Sequence, residues 1–99
     1  MARYGEVLPE DGPAEWVVGL RDQARVVAAD VAARLAGMAL EDGDAEAACA
    51  AAERGLRVDR YRDDLWRRLV DAHRARGDQA SAARAERDYA LVLEELGVH

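Results

Sequence analysis

The sequence predicts an all-α chain of four main helices in two antiparallel pairs, and three observations carry that expectation. A Gly-Asp step occurs twice, at Gly43-Asp44 and at Gly77-Asp78, 34 positions apart. Gly takes up the left-handed conformation that ends a helix, and the Asp carboxylate caps the next one, so each step reads as the joint of a helical hairpin. Ala, Leu, Arg and Glu dominate, while Ile, Phe, Thr and Asn are missing, a balance that favours helix over strand. Apolar residues also recur at helical spacing on both sides of each joint.

Residues 1–13 hold Gly5, Pro9, Gly12 and Pro13 and read as an extended lead-in or linker. Tyr4, Val7 and Leu8 make that segment apolar enough to rest on the domain or on a neighbour. A helical domain then spans 14–99. The first helix is expected to start near Pro13 or Ala14, since Pro is tolerated in a first turn, and to end near Glu41. Its stripe of Trp16, Leu20, Ala24, Val27, Val31, Leu35 and Met38 is expected to face the core. The second helix runs from Asp44 to about Val58. Ala48, Ala52 and Leu56 face inward beside Ala45 and Gly55, small residues that let helix axes approach closely. Cys49 reads as one more small core residue.

Asp59 is expected to cap the third helix, with Asp63 and Asp64 in its first turns, where the helix dipole favours acidic groups. Leu65, Trp66, Leu69, Val70 and His73 form its stripe. The fourth helix, Asp78 to Leu96, carries Ala82, Ala85, Tyr89, Val92, Leu93 and Leu96 inward and stops at Gly97. Glu53–Arg57, Asp63–Arg67 and Asp64–Arg68 have the spacing of helical ion pairs. The predicted core is Leu20, Val31, Leu35, Ala48, Leu56, Leu65, Trp66, Leu69, Ala82, Tyr89 and Leu93.

A 34-residue period is that of the tetratricopeptide class of helix pairs. Measured from the Gly of each joint, Leu35 matches Leu69 and Ala48 matches Ala82. The large residue of the pattern is present only in the second copy, as Trp66 against Ala32, and its tyrosine position holds Ala39 and His73. The expected architecture is therefore a tetratricopeptide-like right-handed stack of two degenerate repeats.

Composition bounds the function. The net charge is −6, which as a whole repels nucleic acid. A single cysteine allows no intrachain disulfide. Met1-Ala2-Arg3 is followed by no apolar core of signal-peptide length, and no apolar run approaches that of a membrane span, so a cytoplasmic protein is expected. Outside tyrosine the only hydroxyl and thiol nucleophiles are Ser81 and Cys49, the first a local partner of the backbone and the second a core residue. His73 stands alone on an inner stripe and His99 ends the chain, without the spacing of a metal site. No catalytic, cofactor-binding or metal-binding residues are expected, and the chain does not read as an enzyme. Arg54, Arg57, Arg60, Arg62, Arg67 and Arg68 form a basic cluster, interleaved with Glu53, Asp59, Asp63 and Asp64 into an internally paired face. The candidate protein-interaction residues are Trp66, His73, Arg62, Arg67 and Tyr89.

The run from Ala52 to Leu69, then Ala72, Gly77-Asp78, Ala82, Tyr89, Leu93 and the ending Glu94-Glu95-Leu96-Gly97-Val98, resembles the bacterial transcriptional activator domain of SARP-type (antibiotic regulatory protein) regulators. Gly5-Glu6-Val7-Leu8-Pro9 with Trp16 and Arg21 resembles the start of that domain. The family usually has Pro after the Asp that precedes the third helix, where this chain has Arg60. The resemblance implies a regulatory domain for oligomerisation or for contact with other regulator domains or the transcription machinery. DNA would be reached only through an N-terminal winged-helix domain that this chain does not contain. The alternative is a free-standing tetratricopeptide-like adaptor that binds a peptide in the groove between helices.

Overall fold

The computed structural model describes residues 11–97, with side chains over 19–97. Four helices follow one another: α1 (Asp11–Glu41), α2 (Ala45–Val58), α3 (Asp63–Ala75) and α4 (Gln79–Glu95). Among the described residues there is no strand. α1 begins at Asp11, slightly ahead of the expected start, because Pro13 falls in its first turn, where a missing N–H costs nothing. The lead-in residues Tyr4, Val7 and Leu8 and the side chain of Trp16 lie outside the described residues.

The two Gly-Asp joints are built alike. Gly43 and Gly77 have φ of 80° and 79°. Asp44 N donates to Ala39 O at 2.8 Å and Gly43 N to Leu40 O at 3.1 Å. At the second joint, Asp78 N donates to His73 O and Gly77 N to Arg74 O, both at 2.9 Å. These paired bonds satisfy the last carbonyls of the helix being closed. Each Asp then accepts from the helix being opened: Ala47 N donates to Asp44 Oδ1 at 3.1 Å and Ser81 N to Asp78 Oδ1 at 3.0 Å. Ser81 Oγ adds a 2.7 Å bond to Asp78 Oδ2.

The middle connection differs from the expected one. Asp59 ends α2 and does not cap α3; its Oδ1 accepts from Tyr61 N at 3.1 Å, which folds the link into a tight turn. Arg62 precedes α3 without a side-chain cap bond. Trp66 Nε1 donates to Arg60 O at 2.8 Å, and the Arg60 guanidinium pairs with Glu95 at the far end of α4. The link is thereby tied to both later helices. Of the expected ion pairs within helices, Asp63–Arg67 forms at 2.9 Å. Asp64 is drawn instead to Arg62 at 2.7 Å, and Glu53–Arg57 does not close.

α1 packs on α2, α2 on α3 and α3 on α4, and α1 also reaches α3. α4 touches neither α1 nor α2, so the helices form a stack of two hairpins and not a closed bundle. Most of the buried groups are small: Ala29, Ala32, Ala33 and Ala36 of α1, and Ala48, Cys49, Ala51 and Ala52 of α2. Larger side chains, Leu65, Trp66, Leu69 and Val70, come from α3, the helix that packs on all three others. Leu56, Tyr89 and Leu93 are half-buried at its margin.

The face that α1 turns inward corrects the expectation. Its Ala side packs on α2 and α3, and the stripe predicted for the core faces outward. Leu20, Val27, Val31, Leu35 and Met38 are 46%, 59%, 49%, 45% and 58% exposed. The repeat supplies the reason. Val31, Leu35 and Met38 stand 34 positions before Leu65, Leu69 and Ala72, which are 0%, 7% and 0% exposed. In α3 those positions lie against the first hairpin, Leu65 among Ala29, Ala32 and Ala33 of α1 and over Gly55 of α2; in α1 no described helix precedes them.

Gly55 sets how closely the first three helices meet. A Cβ there would stand 2.7 Å from Ala32 Cβ and 2.8 Å from Leu65 Cδ2, neither of which can retreat. At Gly37 a Cβ would meet only the flexible end of Arg68, at 3.0 Å. Gly55→Ala should therefore lower the melting temperature by several degrees, as overpacking of about 1–3 kcal/mol exceeds the helix-propensity gain. Gly37→Ala should raise it, since the helix-propensity gain is up to about 1 kcal/mol. Thermal melts followed by circular dichroism check the pair, and equal gains from both would refute the close approach at Gly55.

Candidate protein-interaction groove

The second joint folds α3 and α4 against each other so that Trp66 and Tyr89 stack, with ring centroids 5.9 Å apart and planes inclined by 21°. The indole bond to Arg60 O fixes one end of that stack. Arg74 of α3 reaches across to Glu86 of α4 at 2.6 Å. Trp66, Arg67, Asp71, Arg74, Glu86 and Tyr89, with Val70 beneath, enclose an open groove of about 290 Å³. It has an aromatic floor and a rim carrying both charge signs, the composition that orients a bound chain by polar contacts around an apolar anchor.

The same place in the first hairpin shows what this groove is. Moving back 34 positions replaces Trp66, Arg67, Val70 and Asp71 by Ala32, Ala33, Ala36 and Gly37, and Glu86 and Tyr89 by Ala52 and Gly55. That smooth surface is where α3 lies: Leu65 packs with Ala29, Ala32 and Ala33 and fills the space over Gly55. The groove is thus the second hairpin's counterpart of a surface that seats a helix, rebuilt with large and charged side chains and left open.

Three of the five residues singled out from the sequence, Trp66, Arg67 and Tyr89, meet at this groove. Arg62 does not. It spans α1 and α3, donating from Nη1 to Asp30 Oδ1 and from Nη2 to Asp64 Oδ2, both at 2.7 Å. Bonding to Arg62 holds the Asp64 carboxyl below its ordinary range, and the same pairing, with Asp30, holds the guanidinium above its own. His73 is also elsewhere, buried behind the joint. Its Nδ1 lies 3.6 Å from Cys49 Sγ, and Arg76 Nη1 lies 3.4 Å from that nitrogen and 3.7 Å from the sulfur. Arginine can only donate, so Nδ1 is an acceptor and the imidazole serves as a packed, bonded core group. Asp71, Arg74 and Glu86 were not singled out. For Asp71 and Glu86 the signal was the exchange of Gly or Ala for a charged residue, at Gly37/Asp71 and Ala52/Glu86, and Arg74 stands where the first hairpin has Leu40.

Among the described residues no three His, Cys, Asp or Glu side chains gather into a metal-binding group, and no helix is long and apolar enough to cross a membrane. Compared with known proteins, the chain matches no family model, no curated protein and no solved structure.

The Arg62 clamp has a defined pH signature. A carboxyl with a folded pKa below its unfolded one binds protons more readily when unfolded. Its contribution is complete above the unfolded pKa and is lost as pH falls through the folded one. The melting temperature should be flat between about pH 7 and 5 and fall below about pH 4. Arg62→Leu should melt lower at neutral pH, with its deficit shrinking towards pH 3. Melts across that range check this, and a deficit unchanged at low pH would show that the clamp does not act through Asp64.

Proposed function

We propose that this chain is the protein-interaction and oligomerisation domain of a bacterial transcriptional regulator of SARP type. The observation that carries the proposal is the open groove at Trp66 and Tyr89, which occupies the place where the first hairpin receives a helix. An amphipathic helical segment fits it, laying an apolar edge along the aromatic stack and charged flanks against Arg67, Asp71, Arg74 and Glu86. The segment would come from another regulator domain or from the transcription machinery.

The motifs from Ala52 to Leu69 and from Glu94 to Val98 supply the link to transcription. The charge of −6 directs DNA contact away from this domain and towards a winged-helix domain placed before it. The helical stack would then hold DNA-binding domains at a set spacing and present the groove to a partner. The groove joins an aromatic stack to charged side chains, with Arg67 paired to Asp63 and Arg74 to Glu86, a surface for recognition.

A fusion of a winged-helix DNA-binding domain to residue 1, assayed on a bacterial reporter promoter, tests this role. The fusion should raise transcription several-fold over the DNA-binding domain alone. Tyr89→Ala with Arg74→Glu should bring it close to background while the purified domain keeps its helical spectrum. A wild-type fusion without effect would overturn the regulator role, and full activity of the double variant would displace the groove from it.

A further inference from the structure

We propose that the outward stripe of α1 is a self-association surface, and that its occupant is the α1 of a second copy of this chain, lying antiparallel across a two-fold axis. The proposal rests on the self-association part of the role above and gives it a surface and a geometry.

The stripe is built as a packing face. Val31, Leu35 and Met38 occupy the positions that Leu65, Leu69 and Ala72 hold in α3, and those are buried against the first hairpin. α1 presents the same face, in larger residues overall, with nothing described upon it. It also runs far beyond its partners: 31 residues against 14 in α2. The described chain extends 62 Å in its long direction, and its radius of gyration is 18.2 Å. A compact chain of this length has about 13 Å. A helix that projects without tertiary contacts is marginal in water, so the N-terminal half of α1 calls for a cover.

Head-to-tail stacking of copies is the first arrangement to consider, with α4 of one covering α1 of the next as α2 covers α3. Side-chain size rules it out. Tyr89 stands where Gly55 stands in α2, and Glu86 where Ala52 stands, yet even a Cβ at Gly55 would press on Leu65 at 2.8 Å. α4 therefore cannot take the α1 stripe in the close contact that α2 gives α3, and its groove stays open to a segment seated on the Trp66–Tyr89 stack. An isologous contact between the two α1 stripes has no such obstacle, and it closes at two copies.

The order of residues suits that contact. Leu20 and Val31, Ala24 and Leu35, and Val27 and Met38 are each 11 apart, a spacing that keeps the stripe in line along a nearly straight helix. In an antiparallel pair centred between Val27 and Val31, Leu20 meets Met38 and Val27 meets Val31, and Ala24 lies one residue from level with Leu35. A parallel pair would set Ala24 on Ala24, a gap that the antiparallel pair narrows with Leu35. The exposed stripe amounts to on the order of 500 Å² per copy, so pairing removes about 1,000 Å², the lower size of a specific, reversible interface.

Sedimentation equilibrium on the full 99-residue chain tests the pairing. The expected mass is twice 10.8 kDa at high micromolar concentration, dissociating in the low micromolar range. Val31→Glu with Leu35→Glu should give a monomer that keeps the helices of residues 45–95, because both sites are open in the single chain. In a Cys49→Ala background, Leu20→Cys mixed with Met38→Cys should cross-link on oxidation, and Leu20→Cys alone should not.

A wild-type monomer at hundreds of micromolar, a dimer that survives the double Glu variant, or a Leu20→Cys self-cross-link would each overturn the proposal. So would a monomer whose Cys at position 20 becomes reactive only when residues 1–10 are deleted, since the chain's own lead-in would then be the cover. The groove at Trp66 is untouched by these changes. Loss of pairing with reporter activation intact would fault the α1 contact alone, whereas loss of activation by a wild-type dimer would fault the regulator role.

Discussion

The rest of this structure depends on a backbone constraint used twice: a glycine held at a left-handed φ, followed by an aspartate that closes one helix with its amide and opens the next with its carboxylate. A side chain at the first position would strain the turn, and loss of the carboxylate would leave amides at the next helix start without a partner. Because both joints satisfy the same bonds with the same residues, the two hairpins share a geometry. Residues 34 apart then occupy equivalent places, whatever their size. That equivalence makes the differences between the hairpins interpretable.

The differences run in one direction. The first hairpin is lined with Ala and Gly, and the approach at Gly55 is close enough that Leu65 fills the space a methyl group would need. The second hairpin places Trp66, Tyr89, Asp71 and Glu86 at the corresponding sites. The first accepts a helix in close contact, and the second holds an open groove with ion pairs at its edge. A core made of alanines buries little area per residue, so directed contacts add to it: Arg62 between Asp30 and Asp64, the Trp66 bond to Arg60 O, and Arg60 to Glu95. These contacts bind α1, the middle link and α4 to α3, the one helix that packs on all three others.

Much of this was legible in the residues. The joints, the order of helices and the inward faces of α2 and α3 followed from glycine, aspartate and apolar spacing alone. The first helix was not, because it has two apolar faces. Leu20, Val27, Val31 and Leu35 are the stronger hydrophobic signal, and the weaker Ala face is the one that fits against α2 and α3. Asp59 was misassigned for a related reason: an aspartate before a helix can cap it or close a turn, and the turn to Tyr61 took it. Arg62 looked like a surface charge because its partner Asp30 lies on another helix.

The chain's own residues determined where helices start and stop and that they pair, since those outcomes follow from local conformational preferences and hydrogen bonds within a few positions. Tertiary structure alone decided which apolar face is covered, that Trp66 and Tyr89 stack over a groove, and that Arg62 joins α1 to α3. Each of these is a matter of which surfaces can approach closely enough, and that distance is set jointly by side chains far apart in the chain, Gly55, Ala32 and Leu65 above all.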